Sequence, residues 1–199
     1  MAGQTAPDSV PGALPPAPGR LLVAAPSLAD PNFARTVVLL LEADPGGCLG
    51  VVLNRPSEIE VGAVLADWAG IGSPDVLFRG GPVEPDCALG VARVAEEATH
   101  GEDPMGWRRV AGSTGLVDLD TPVPVLAEAL GALRIFAGYS GWSPGQLEEE
   151  IAEGAWYVVD GEPGDAFLPS PEDLWTRVLR RQGGRLAMLA TLPADPRMN

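Results

Sequence analysis

The sequence predicts an α+β domain: a mixed, largely antiparallel β-sheet with about four helices. Three observations carry that expectation. Apolar, β-branched runs come early, at Leu21–Ala25, Thr36–Glu42 and Gly47–Leu53, and read as strands. Helical spacing appears later and irregularly, without the regular strand–helix alternation of a parallel sheet. A chain of 199 residues, 46% of them hydrophobic, can bury one ordinary core.

Residues 1–18 hold five prolines and almost no large apolar side chain. They cannot offset the entropy of ordering and read as a flexible extension. The domain is expected over 19–192, with 193–199 as a tail. Its first strand, Leu21–Ala25, is stopped by Pro26, and Asp30-Pro31-Asn32 turns the chain. Thr36–Glu42 and Gly47–Leu53 form a hairpin across Ala43-Asp44-Pro45-Gly46, and their near-continuous apolarity implies burial on both faces. After Asn54-Arg55, Pro56 bars simple continuation of the strand. Val61, Val64, Leu65 and Trp68 then mark one face of a short helix, with Ser57 and Glu60 as its candidate cap.

Val76–Phe78 is a short strand running into Arg79-Gly80-Gly81-Pro82, and Ala88–Val94 is another. The acidic stretch 96–106 reads as an exposed loop. Trp107–Val110 and Gly115–Leu119 are expected to pair around Gly112-Ser113-Thr114. Val123, Leu126, Ala127 and Leu130 mark a second helix.

The most legible stretch is 133–159. Leu133–Ala137 reads as a buried strand and Gly138-Tyr139-Ser140-Gly141 as a turn using glycine's backbone freedom. A helix follows with Ser143 as N-cap, Pro144 at its first position, and Gln146 closing a capping box. Trp142 and Leu147 are spaced for a hydrophobic staple. Leu147 and Ile151 form the buried stripe, Gly154 ends the helix, and Ala155–Val159 is the next strand. In the last helix Ser170 caps, Pro171 opens, Arg180 and Arg181 close, and Gly183 stops it.

Composition narrows function. The net charge is −14, and all 13 cations are arginines. Such an acidic surface repels phosphate backbones and disfavours nucleic acid as a partner. No run of ~18 apolar residues is present, so no helix is expected to span a membrane. The N-terminus lacks a basic stretch followed by an apolar run, so no secretory signal is expected. Cys48 and Cys87, without a C-x-x-C, fit a reducing cytoplasm. They read as plain thiols, with a redox pair as the alternative. Charge is uneven: residues 135–176 hold nine acids and no base, whereas five arginines follow from Arg177. Either the last helix packs on the acidic segment or its arginines satisfy its own dipole, or it offers a small basic face to a partner protein or an anion.

No cofactor or metal site is expected. His100 is the single histidine, in a loop with Glu102 and Asp103, and cannot complete a zinc site with two separated cysteines. No phosphate-binding loop with its lysine exists. Ser140 lacks the G-x-S-x-G setting of a hydrolase nucleophile. Arg79-Gly80-Gly81 is more informative. It is either a tight strand exit or a nest of backbone N–H groups with Arg79 adding charge. Asn54-Arg55-Pro56 is a similar exit. If both exits and Tyr139-Ser140-Gly141-Trp142 share one end of the sheet, they outline a pocket. Arg35 or Arg55 would take a carboxylate, and Tyr139 and Trp142 would supply walls, although the helix staple already engages Trp142.

Several segments together resemble the AlgH/YqgE-like family of bacterial proteins: GRLLVAAPSLADPNFARTVVLL (19–40), LGVVLNRP (49–56), FRGGPV (78–83), FAGYSGWSPGQLEEEIAEGAW (136–156) and LW…VLR (174–180). The resemblance implies a single cytoplasmic α+β domain and no reaction. Family members commonly carry a histidine after the second strand, where this chain has Glu42-Ala43-Asp44. The resemblance therefore brings no histidine chemistry to those positions.

The expected function is that of a non-enzymatic binding or regulatory interaction protein. Arg55, Arg79, Gly80, Gly81, Tyr139 and Ser140 would receive a small anionic ligand or a protein partner. Two alternatives stand beside it. One is regulation through DNA, for which only the Arg177–Arg185 segment offers a basic helix. The other is an enzyme using carboxylates such as Glu149 or Asp30, which the sequence cannot pair.

Overall fold

A computed structural model gives the protein's structure and describes residues 14–95 and 103–192. Most of the proposed flexible extension, the 193–199 tail, and His100 and Glu102 of the acidic loop lie outside the described residues. The strands are β1 (Arg20–Ala24), β2 (Val37–Asp44), β3 (Gly47–Val52), β4 (Pro56–Glu60), β5 (Val76–Arg79), β6 (Val83–Val94), β7 (Trp107–Ala111), β8 (Thr114–Val117), β9 (Leu130–Trp142) and β10 (Trp156–Asp160). The helices are α1 (Val123–Leu126), α2 (Gln146–Ala152), α3 (Leu174–Gln182) and α4 (Gly184–Leu189).

The strands form one sheet in the order β10-β1-β2-β3-β9-β6-β8-β7, with β5 also beside β9 and β4 on the outside of β5. The β5–β9 pairing is parallel and the others are antiparallel. This is the α+β domain with a mixed, largely antiparallel sheet and four helices that the strand and helix patterns imply.

Burial on both faces of the early strands is realised. Leu21, Val23, Leu39, Leu41 and Val51 pack with Trp175, Val178 and Leu179 of α3. Their neighbours Leu22, Ala24, Val38, Leu40 and Val52 pack on the opposite side with Trp142, Leu147 and Trp156. Period-2 alternation thus feeds two cores at once. A third core forms where Leu133 and Ile135 meet Trp68, Trp107 and Leu126.

Five expectations are corrected. Gly138-Tyr139-Ser140-Gly141 is not a turn, because β9 runs through it to Trp142. Gly138 only kinks the strand, at φ +69°. The candidate cap residues Ser57 and Glu60 lie in strand β4, which tolerates Pro56 because β4 is an edge strand with Pro56 at its start. The helix expected after them is two short 3-10 turns, at Val61–Ala63 and Ala66–Trp68. Val61 and Trp68 are buried there, but Val64 is exposed. Finally, Leu130 opens β9 instead of closing a helix, and α4 follows the Gly183 stop, where the sequence showed no helix start.

The α2 start differs in detail. Gly145, in the left-handed region, is the N-cap, and no side-chain cap is made. Half of the expected capping box survives, since the Ser143 N–H donates to Gln146 Oε1 at 3.0 Å. Ser170 likewise stands at the N-cap of a 3-10 turn leading into α3 without a side-chain bond.

Candidate functional site

Two strand exits meet beside β9. The Arg79 N–H donates to the Arg55 carbonyl at 2.9 Å, which holds the end of β5 against the start of β4. Gly80 then joins three strands. Its N–H donates to the Ala137 carbonyl and its carbonyl accepts from the Val52 N–H, both at 2.9 Å. The buried Ser140 hydroxyl also donates to the Gly80 carbonyl, at 3.1 Å. A Cβ on Gly80 would collide with the Gly138 carbonyl, and one on Gly81 with the Tyr139 carbonyl. Close backbone approach therefore requires glycine at both positions. Tyr139 pairs with Val83 and packs on the core.

These contacts position a surface cleft of about 650 Å³, lined by Asn54, Arg55, Glu58, Phe78, Arg79 and Glu172 among others. The structure brings Arg55 and Arg79 together here. Gly80, Gly81, Tyr139 and Ser140 lie next to it in the sheet but do not line it. Asn54 is buried and fixes the β3 exit: its Oδ1 accepts from the Val37 N–H at 3.0 Å, and its Nδ2 donates to the Arg35 carbonyl at 2.9 Å. Arg55 gives Nη2 to the Ala34 carbonyl at 2.6 Å. Arg79 is exposed and makes no side-chain hydrogen bond or ion pair among the described residues.

Behind the cleft stands a residue that sequence reasoning missed. Arg134 of β9 is only 2% exposed, and its guanidinium lies 4.1 Å over the Phe78 ring. Nη2 donates to the Leu168 and Ser73 carbonyls at 2.9 and 3.4 Å, while Nε and Nη1 have no partner among the described residues. Burial pushes its pKa down to about 10, and the nearby Glu172 carboxylate pulls it upward. The sequence signal was available: a lone arginine inside an apolar strand pattern.

The other candidates are placed elsewhere. Arg35 lies 4.4 Å over the Trp175 ring and bonds to the Leu192 carbonyl. Trp142 is buried and donates Nε1 to Glu150 Oε2 at 3.0 Å, the same atom that Trp156 reaches at 2.8 Å. Asp30 accepts from the Asn32 N–H in a turn, and Glu149 sits exposed on α2. Cys48 and Cys87 are both free. Burial raises the Cys48 thiol pKa, and Glu148 and Asp44 raise it further.

Arg181 packs α3 on the acidic segment. It meets Asp165 through two bonds of 2.6 and 2.7 Å and reaches Glu162 at 3.3 Å. This matches the packing reading of the terminal arginines. A smaller hollow of about 140 Å³ beside that pair holds carboxylates already matched by Arg181. A third, of about 270 Å³ beside the β2–β3 turn, is lined by Glu42, Asp44 and Cys48 without a cation. Among the described residues no group of His, Cys, Asp or Glu could hold a metal ion, and no helix is long and apolar enough to cross a membrane.

Residues 21–187 match a protein-family model described as AlgH-like. A UPF0301 protein of Streptomyces coelicolor is 63% identical over 182 residues, covering 91% of this chain and 94% of that protein. A UPF0301 protein of Thermobifida fusca is 50% identical, with coverage of 91% and 94%. A crystal structure of a Corynebacterium diphtheriae protein is similar at TM-score 0.84 and 34% identity, covering 90% of this chain and 94% of that one. The solution structure of the AlgH protein from Pseudomonas aeruginosa is similar at TM-score 0.65 and 26% identity, with coverage of 96% and 98%.

Proposed function

The chain belongs to the AlgH-like family, and from that premise we propose that it is a non-catalytic binding protein of the cytoplasm whose ligand is a small molecule carrying an anionic group. One observation supports this reading above the rest. Arg55 and Arg79 leave separate strands, converge on one cleft of ligand size, and Arg79 has no partner among the described residues. Arg79 is the primary anion contact, and Arg55, tied to the Ala34 carbonyl, is the wall beside it. Gly80, Gly81, Tyr139 and Ser140 act indirectly, by fixing where Arg79 leaves the sheet.

The test is a thermal-shift screen of small carboxylates and phosphate esters against the wild type, Arg79→Ala and Arg55→Ala. The expected result is a concentration-dependent rise in Tm that Arg79→Ala abolishes and Arg55→Ala reduces. A flat response of the wild type, or equal responses of all three proteins, would remove the cleft from consideration.

A further inference from the structure

Two arginines on adjacent strands face the same way beneath one loop. β6 and β9 pair antiparallel, with Val91 opposite Arg134 and Arg93 opposite Ala132. Directly paired residues project to one side of a sheet, and residues two apart on a strand share that side. Arg93 and Arg134 are therefore diagonal neighbours, roughly 7–8 Å apart and within reach of each other's long side chains. The loop over them touches both through consecutive residues. The Arg93 guanidinium lies 5.9 Å from the Phe167 ring centre, and Arg134 Nη2 donates to the Leu168 carbonyl at 2.9 Å.

Neither cation is neutralised among the described residues. Arg134 is only 2% exposed, yet its Nε and Nη1 have no partner there and Nη2 meets only backbone carbonyls. Arg93 is half-buried and makes no side-chain hydrogen bond or ion pair there. Glu172, whose charge acts on Arg134, is exposed and forms no ion pair with it. Like charges side by side oppose each other, and a buried donor without an acceptor bears the full cost of its lost water. An anion between the two guanidiniums removes both costs.

The donor set selects the anion. It has to offset two cations and accept from Arg134 and Arg93 at once. A carboxylate brings one charge and two oxygens, whereas a phosphate group brings nearly two charges and three acceptor oxygens. We propose that Arg93 and Arg134 form a binding site for a phosphate group, roofed by Phe167 and Leu168 and entered beside the half-buried Arg93. Neither arginine lines the cleft of Arg55 and Arg79, so this site is separate from it.

The experiment is calorimetric titration of the full chain with inorganic phosphate, glycerol 2-phosphate and acetate at one ionic strength. Each probe is titrated into the wild type, Arg93→Gln, Arg134→Met and Arg79→Ala. Arg134→Met keeps most of the volume and removes a buried charge, a change that folds commonly tolerate. If it does not fold, Arg93→Gln decides the outcome. The wild type should bind phosphate about tenfold more tightly than acetate, the scale of one further charge-assisted contact. Arg93→Gln and Arg134→Met should each weaken phosphate about tenfold or more, and Arg79→Ala should leave it unchanged. Equal binding of the two phosphates supports the site with free phosphate as a sufficient ligand; tighter binding of the ester supports it with a phosphate monoester.

If the wild type binds neither phosphate, or binds acetate equally well, or Arg93→Gln binds phosphate as the wild type does, the proposal is overturned. If Arg79→Ala alone abolishes phosphate binding, the anion belongs to the cleft: this proposal fails and the cleft reading stands.

Discussion

Arg181→Met should be among the most destabilising substitutions outside the apolar core. The wild-type side chain makes two charge-assisted bonds to Asp165, at 2.6 and 2.7 Å, and a third to the Asp160 carbonyl at 3.1 Å. Asp165 is 6% exposed. Methionine keeps much of the volume and removes the charge, so Asp165 would retain only the Glu162 N–H at 2.7 Å. Stranding a buried carboxylate costs about 3–5 kcal/mol where burial is complete. The Arg181 side chain is 23% exposed, so water can enter and the expected cost falls to about 2–4 kcal/mol. For a domain of this size that lowers Tm by roughly 5–12 °C. Burial lowers the Arg181 pKa, but the Asp165 hydrogen bond and the charges of Asp165 and Glu162 outweigh it, leaving the pKa raised. Its neighbours therefore favour the charged form of Arg181. Urea unfolding of the wild type, Arg181→Met, Asp165→Asn and the double variant measures the coupling directly. Because Asp165→Asn removes the stranded charge, the double variant should be more stable than Arg181→Met alone. A midpoint for Arg181→Met within about 0.5 kcal/mol of the wild type would refute the reasoning.

Three further outcomes are expected. Gly80→Ala forces a Cβ into the Gly138 carbonyl; it should cost roughly 3 kcal/mol or more, and thermal unfolding unchanged from the wild type would contradict it. Iodoacetamide at pH 8 should alkylate exposed Cys87 before Cys48, whose thiol pKa is raised by burial and by Glu148 and Asp44; mass spectrometry showing equal rates would count against this. Arg134 has a folded pKa lowered to about 10 by burial, well below the ordinary guanidinium value. The unfolded chain thus holds that proton more tightly, so burying the charge costs stability at every pH below about 10 and less as pH climbs beyond it. Relative to Arg134→Met, wild-type stability should therefore improve between pH 10 and 11 in urea unfolding, and a constant difference would be the contrary result.

The fold was legible where local pattern and tertiary environment agree. The β2–β3 hairpin, with Pro45-Gly46 at its turn, and the β7–β8 pair needed only alternation and turn residues. Reading failed where a residue's local preference was overridden from afar. Gly138 and Gly141 look like a turn in isolation. Their actual setting is close approach to Gly81 and Val83 from β6 and its entry, and pairing with Leu49 of β3. Pro56 looks like a strand terminator until β5 provides a partner on one side of an edge strand. The cleft was half visible. Arg55 and Arg79 follow conspicuous strand exits, but in sequence Phe78 reads only as the end of a short strand. Glu172 reads as a helix-dipole residue, and only the packing of the 165–173 segment over Arg134 brings it to the same place.

The position of β9 in the chain has a consequence for synthesis. Three strands attach directly to its 13 residues: β3 and β5 along one edge and β6 along the other. It begins only at Leu130, about 80 residues after β3 ends. Until the ribosome has supplied it, the β1–β3 meander and the β6–β8 ribbon have no strand to join them, and β3 presents an open apolar edge. A nascent chain that ends before β9 holds two ribbons with unpaired edges, and folding to one sheet waits until β9 has left the ribosome.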